Sequence, residues 1–282
     1  MVLLRQAPTG LEVLLLRRTA QAANMPGLYV FPGGKLDDAD QRLAESLLDQ
    51  PPQALHASLN EPNLDTATAA GLYVAAVREA IEECGLLLAE AAGALARLDA
   101  PQARELLRTG QSFAEVLSTL QLRVPTRRLV PWSRWITPRV PSAMARNKRF
   151  DTRFFVAAVP EGQVAGFDDH EAVAGDWLNP REALRRYRDG SIVMGPPQIM
   201  SLVQLAQHRS AAEVIESARS RGPVLIEPEP FELEGCRVVA YPGDERHPLR
   251  ERVMAGPTRL IQRGNRFEPL EGIDALLECV GC

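Results

Sequence analysis

Arg78-Glu79-Ala80-Ile81-Glu82-Glu83-Cys84-Gly85-Leu86 is the stretch on which the reading of the chain turns. It closes a longer run, Ala67 to Cys84, in which Val74, Val77, Ile81 and Cys84 recur three and four residues apart, so that one apolar stripe predicts a helix with that face buried. Asp65-Thr66 offers an N-cap region, and Gly85 the residue that commonly ends a helix. At about 100° per residue, Glu79, Glu82 and Glu83 fall on the arc opposite the stripe, with Arg78 at its border reaching Glu82 one turn on. Like charges at these spacings cost an isolated helix roughly a few tenths of a kcal/mol per pair. A hard divalent cation over the arc removes that penalty, because Mg²⁺ takes oxygen ligands and keeps several waters. A solvated acidic helix face is the competing reading of E-x-x-E-E alone.

Upstream, Gly34-Lys35-Leu36-Asp37-Asp38-Ala39-Asp40 adds a glycine turn and an acid six residues after the glycine. With the helix it matches the box G-x5-E-x7-R-E-U-x-E-E-x-G-U, U being aliphatic; Ala80 fills the loose first U, and Asp40 stands where glutamate is usual. Residues 41–77, rather than seven, separate Asp40 from Arg78, so about 30 are inserted within the box. Phe31-Pro32-Gly33-Gly34, Trp132-Ser133-Arg134-Trp135-Ile136-Thr137-Pro138 and Arg149-Phe150-Asp151-Thr152-Arg153-Phe154-Phe155 complete the pattern. Over roughly residues 1–210 the chain resembles the Nudix hydrolases, and among them the interrupted-box subgroup that includes the peroxisomal coenzyme A diphosphatase of the RP2 type.

The resemblance implies an α/β fold: an α/β/α sandwich around a mixed sheet, here with helical insertions near residues 41–66 and 90–126. It implies divalent-metal-dependent hydrolysis of a pyrophosphate bond in a nucleoside diphosphate derivative, coenzyme A or its acyl esters being the subgroup's substrate. Mg²⁺, with Mn²⁺ as substitute, is the implied cofactor, held by Glu79, Glu82, Glu83 and the Gly34 carbonyl. Arg78 orients the carboxylates. Glu79 and Glu171 are both candidates for the general base, Glu171 lying in an acidic loop, Asp168-Asp169-His170-Glu171, ahead of a predicted strand. A catalytically inactive Nudix-fold module that binds a ligand or regulates is the rival, resting on Asp40 and the long insertion.

Substrate contacts are read from charge and aromatics. Lys35 either touches a phosphate or is an exposed turn lysine. Arg139, Arg146, Lys148, Arg149 and Arg153 cluster within fifteen residues, Arg149 and Arg153 being the candidates to meet phosphates, with solvated loop charge as the alternative. Trp132 and Trp135, three apart on a predicted strand, should face opposite sides; Trp135 is then a candidate to stack on a base, against core packing of both. Coenzyme A-cleaving relatives of another subgroup carry an Arg that Ala22-Ala23-Asn24 does not supply.

Around this centre, Leu3 to Leu16 with a Pro8-Thr9-Gly10 turn predicts a hairpin, Tyr29–Phe31 a short strand, and Asp38 to Leu48 a helix that Pro51-Pro52 breaks. The segment 41–66 is expected to form a helix plus an irregular polar stretch beside the substrate opening, replaceable by a short linker because loop-closure entropy grows slowly with length. Leu86-Leu87-Leu88 is expected to start a strand. Helical pieces punctuated by Pro101 and Gly110 follow to Leu120, then strands at 129–137, 153–159 and 173–178, and helices near 182–188 and 198–208. Residues 1–220 are taken as the hydrolase domain and 221–282, with short β-type runs, as a C-terminal extension of unassigned role.

The 282 residues are 45% hydrophobic and 24% charged, a globular composition, and a net charge of −4 gives no drive toward nucleic acid. No apolar run approaches a membrane span, and the first residues lack a signal-peptide pattern. Four cysteines make no disulfide framework, and Cys279-x-x-Cys282 lacks a second pair for zinc. The expectation is a cytoplasmic monomer or homodimer acting on a small pyrophosphate substrate, with no nucleic-acid or membrane partner.

Overall fold

The computed structural model describes residues 1–19, 27–96, 98–138, 149–167 and 172–278. The strands are β1 (Val2–Ala7), β2 (Gly10–Arg18), β3 (Tyr29–Val30), β4 (Glu90–Ala91), β5 (Leu122–Arg123), β6 (Val130–Ile136), β7 (Asp151–Ala158), β8 (Ala172–Leu178), β9 (Val224–Ile226), β10 (Glu229–Leu233), β11 (Cys236–Ala240), β12 (Arg259–Arg263) and β13 (Arg266–Glu268). The helices are α1 (Asp38–Gln41), α2 (Pro52–Leu59), α3 (Thr66–Cys84), α4 (Ala100–Arg108), α5 (Phe113–Thr119), α6 (Pro180–Arg188), α7 (Pro196–Leu205), α8 (Ala211–Arg221) and α9 (Ala275–Glu278). A mixed seven-stranded sheet runs β3-β2-β1-β7-β6-β9, with β8 also paired to β2; β1–β7 and β6–β9 are parallel and the other pairs antiparallel.

Alternation along the strands divides the apolar side chains between two cores. Leu3, Leu14, Leu16, Phe155 and Ala157 face a layer containing α2 to α5, while Val2, Leu4, Val13, Leu15 and Val156 face α6, α7 and α8. The expected α/β/α sandwich is the observed architecture. The second core takes in Tyr241, Leu260, Phe267 and Leu276, and β9 joins the main sheet, so the segment after residue 220 is packed into the same body. Its β10–β13 sheet is clasped to α6 by the buried Tyr187, whose hydroxyl donates to the Phe267 carbonyl at 2.7 Å and accepts from the Phe267 N–H at 2.8 Å.

Helix α3 forms as its sequence requires. Asp65 accepts a hydrogen bond from the Thr68 N–H at 2.8 Å, Gly85 adopts φ +64° at the other end, and Val74, Val77, Ile81 and Cys84 are buried. Three local expectations need correction. The helix expected over 38–48 is one turn, α1, followed by a 3-10 turn at Glu45–Leu47, because Leu47 O and Asp49 N pair with Val124 at 2.8 and 3.3 Å and draw the chain into an isolated bridge. Leu86-Leu87-Leu88 is buried but not a strand: Leu87 N and O bond to the Gln163 side-chain amide at 2.7 and 2.9 Å. The inserted segment is core rather than rim. Leu55 is fully buried, Leu59 nearly so, and Ser58 Oγ meets Tyr73 OH of α3 at 2.5 Å. Truncating such a leucine costs about 2–5 kcal/mol, so a short linker in place of 41–66 would open the core under α3.

Trp132 and Trp135 do not face opposite sides. A β-bulge falls between Pro131, paired with Phe155, and Ser133, paired with Phe154, leaving Trp132 without a cross-strand partner and shifting the alternation by one. Both tryptophans enter the same core, and Trp135 packs edge-on to Tyr241 at 6.0 Å. At 4% exposure Trp135 has no face open to a base.

Candidate active site

Two segments build the site: the last turns of α3 and the Gly33-Gly34 turn between β3 and α1. They approach so closely that a Cβ at Gly34 would overlap the Glu79 carboxylate where it lies, so a larger residue there would make that side chain swing aside. Gly33 N–H donates to Glu83 Oε2 at 2.7 Å, tying the turn to the helix a second time.

Arg78 is the hub. Its Nε and Nη2 donate to the two oxygens of Asp40, each at 2.9 Å, a bidentate pair. Nη1 donates to Glu79 Oε1 at 2.9 Å and Glu82 Oε2 at 2.8 Å, and Nη2 also reaches the Lys35 carbonyl at 2.9 Å. Asp37 lies 3.7 Å away. Asp40 is shorter than the glutamate usual at its place, and α1 brings it into reach: Asp40 Oδ2 accepts from the Asp37 N–H at 2.9 Å in a capping box, which seats the buried carboxylate against Arg78.

Four carboxylates thus surround one guanidinium, with Glu83 beside them. Burial works against the charge on Arg78, but the Asp40 hydrogen bonds and the charges of Glu79, Asp40 and Glu82 outweigh it and raise its pKa. Glu82 is pushed above the ordinary glutamate value, first by burial and then by Asp40 and Asp37, with Arg78 opposing. The Cys84 thiol behind them is raised by burial, the Glu83 charge adding to it, and stays protonated.

The donor set fits a hard divalent ion: carboxylates with surplus negative charge, with Gly34 packed against one of them. As they lie, Glu79 and Glu82 turn to Arg78 and Glu83 to Gly33, and among the described residues no three acidic, imidazole or thiol groups converge on one point. Seating an ion requires the glutamates to rotate off or share these partners.

The remaining candidates disperse. Lys35 is exposed beside Gly34. Arg149 donates to Glu227 Oε1 at 3.1 Å and to the Thr137 carbonyl at 3.3 Å. Arg153 is held by Glu61, Nε at 3.0 and Nη2 at 2.6 Å. Glu171 and His170, with Arg139, Arg146, Lys148 and the Cys279–Cys282 pair, lie outside the described residues. Sequence reasoning did not single out Glu61 or give Arg134 a role. Glu61 is 92 residues from the arginine it holds, and no local pattern marks it.

The family model described as the NUDT19 Nudix domain matches residues 4–205. The acyl-coenzyme A diphosphatase NUDT19 of Xenopus laevis is 26% identical over an alignment covering 93% of this chain and 81% of its own length. The human acyl-coenzyme A diphosphatase NUDT19 is 30% identical, with 73% of this chain and 63% of its own length covered. Among solved structures, a NUDIX hydrolase from Alicyclobacillus acidocaldarius superposes with a TM-score of 0.61 at 26% identity, covering 76% of this chain and 92% of that one.

Proposed function

Because the chain belongs to the Nudix hydrolases, in the group defined by the NUDT19 Nudix domain, we propose that it cleaves the pyrophosphate bond of coenzyme A or acyl-coenzyme A, giving 3′,5′-ADP and a phosphopantetheine. One observation carries the chemistry: the ring of carboxylates around Arg78, closed against the Gly33-Gly34 turn that packs directly on Glu79. A pyrophosphate carries negative charge on both phosphoryl groups, and attack by water requires cations to screen it and carboxylates to hold them. Glu79, Glu82, Glu83 and the Gly34 carbonyl would hold Mg²⁺, or Mn²⁺ in its place, which when bound would supply that screening.

The chain's own residues do the rest. Arg78, fixed on one side by Asp40, sets the directions of the Glu79 and Glu82 carboxylates through Nη1. Glu79 lies between Arg78 and Gly34 and is one candidate to take the proton of the attacking water; Glu171 is the other. Lys35, exposed beside the glycine turn, is the candidate to meet a phosphate oxygen. The Asp40 replacement, on which an inactive module would rest, leaves Arg78 anchored by two hydrogen bonds, so nothing in the site favours that rival. The names of the relatives support the choice of coenzyme A.

The test is a mass-spectrometric screen of pyrophosphate-containing metabolites with Mg²⁺ and with Mn²⁺, reading which two fragments form. Release of 3′,5′-ADP from coenzyme A is the expected result. Faster cleavage of ADP-ribose or a nucleotide sugar would overturn the substrate assignment and leave the hydrolase in place.

A further inference from the structure

Arg134 of β6 and Arg153 of β7 are direct cross-strand partners, two like charges on one sheet face, an arrangement that is destabilising unless anions lie against it. Two carboxylates do, and they differ. Glu61, from the segment inserted within the box, accepts from Arg153 Nε and Nη2 and lies 2.8 Å from Arg134 Nη1; its side chain is 10% exposed. Asp151 accepts from Arg134 Nε and Nη2 at 2.8 and 2.7 Å and stands 3.1 Å from Arg153 Nη1, yet it is 40% exposed. The inner carboxylate fixes the two guanidinium planes. The outer one covers their solvent-facing donors in the fork geometry that a phosphate also takes.

The cluster sits at the glycine-turn end of the sheet. Phe154, next to Arg153, packs edge-on to Phe31 at 5.7 Å, and Phe31 leads into Pro32-Gly33-Gly34. Were the arginines there only to fasten the insertion, Glu61 with one of them would suffice. A second guanidinium, 28% exposed and closed by an exposed carboxylate, is an anion site with a replaceable occupant.

We propose that Arg134 and Arg153, held by Glu61, form the subsite for a phosphate of the substrate, and that Asp151 is the side chain the phosphate displaces. Glu61 is then a positioning residue, and the insertion contributes to recognition. The identity of the phosphate, the 3′-monoester of coenzyme A, rests on the function proposed above.

Calorimetric titration with 3′,5′-ADP and with 5′-AMP tests this without turnover. Arg134→Gln should weaken 3′,5′-ADP by about tenfold or more, the worth of a charge-assisted hydrogen bond. Asp151→Asn, which keeps the shape and removes the competing charge, should tighten it severalfold. A change confined to 3′,5′-ADP identifies the 3′-phosphate; an equal change for both ligands identifies the 5′-phosphate instead, and either supports the subsite. Unchanged or weaker binding in Asp151→Asn overturns it, and this variant decides the matter even if Arg134→Gln fails to fold. Turnover of coenzyme A by the unaltered protein is scored separately: its absence refutes the substrate assignment, whereas turnover with flat titrations refutes only the subsite.

Discussion

Arg78 and the Arg134–Arg153 pair each gather acidic side chains at the same end of the sheet, but their charge balance is opposite in kind. Around Arg78, Asp37, Asp40, Glu79 and Glu82 face one guanidinium. Around the pair, Glu61 and Asp151 face two. The first network is complete only with cations added from outside, whereas the second is closed and opens only by exchange of one anion for another. Two sites for two parts of one polyanionic substrate can therefore be told apart by whether a cation is added or an anion is exchanged.

The largest effect should come from depleting the overcharged network. Glu83→Gln is expected to lower kcat by about two orders of magnitude or more with the fold intact, because a charge that holds the cation is lost from transition-state stabilisation. Near wild-type turnover at saturating Mg²⁺ would mean that the box is not the metal site. Next, Asp40→Asn should destabilise the protein by about 2 kcal/mol in urea unfolding, since it weakens a buried bidentate pair that Arg78 cannot remake with water. A loss no larger than that of an exposed pair would show that Arg78 is held in place without Asp40.

Smaller still, Mg²⁺ at about ten times its dissociation constant should raise stability by about 1.4 kcal/mol, and Glu82→Gln should reduce that gain; equal gains in both proteins would place the ion elsewhere. The two networks should also titrate in opposite directions in the metal-free protein, as followed by carboxyl NMR. Burial pushes Asp151 up, but Arg134 and Arg153 hold it below the ordinary aspartate value, so the stability its charge contributes is present above about pH 4 and is lost as pH falls through its lowered value. Glu82 is raised by burial and by Asp40 and Asp37, so stability declines as pH rises from the ordinary glutamate value, about 4.3, through its raised one. Shifts of the same sign at both residues would break the contrast.

What could be read beforehand follows the range of the interaction. Helix α3 carries its stripe and both caps within the 21 residues from Asp65 to Gly85, and its acidic arc is a local pattern, so the helix and the box are legible. Helix α2 is hidden because Pro51-Pro52 reads as a stop, although a proline at the first turn starts a helix without loss of a bond. Helix α8 was missed despite Ser210, which caps it by accepting from the Glu213 N–H at 3.2 Å. The pairing of Glu61 with Arg153 spans 92 positions and leaves no local trace. The tryptophans defeated a period-two reading because a bulge is a single extra residue that composition does not announce.

That extra residue has a further consequence. Parity along β6 is set once, at Trp132, and everything after it inherits the result. Paired residue for residue through Trp132, the strand would put Ser133 opposite Arg153, turn Arg134 inward to the core of α6 and α7, and turn Trp135 to the face that Arg153 occupies. Recognition chemistry and core packing are thus two outputs of one counting event: deleting Trp132 should remove the bulge and still leave Arg134 opposite Arg153, whereas closing the bulge with Trp132 kept in the ladder would exchange the two together.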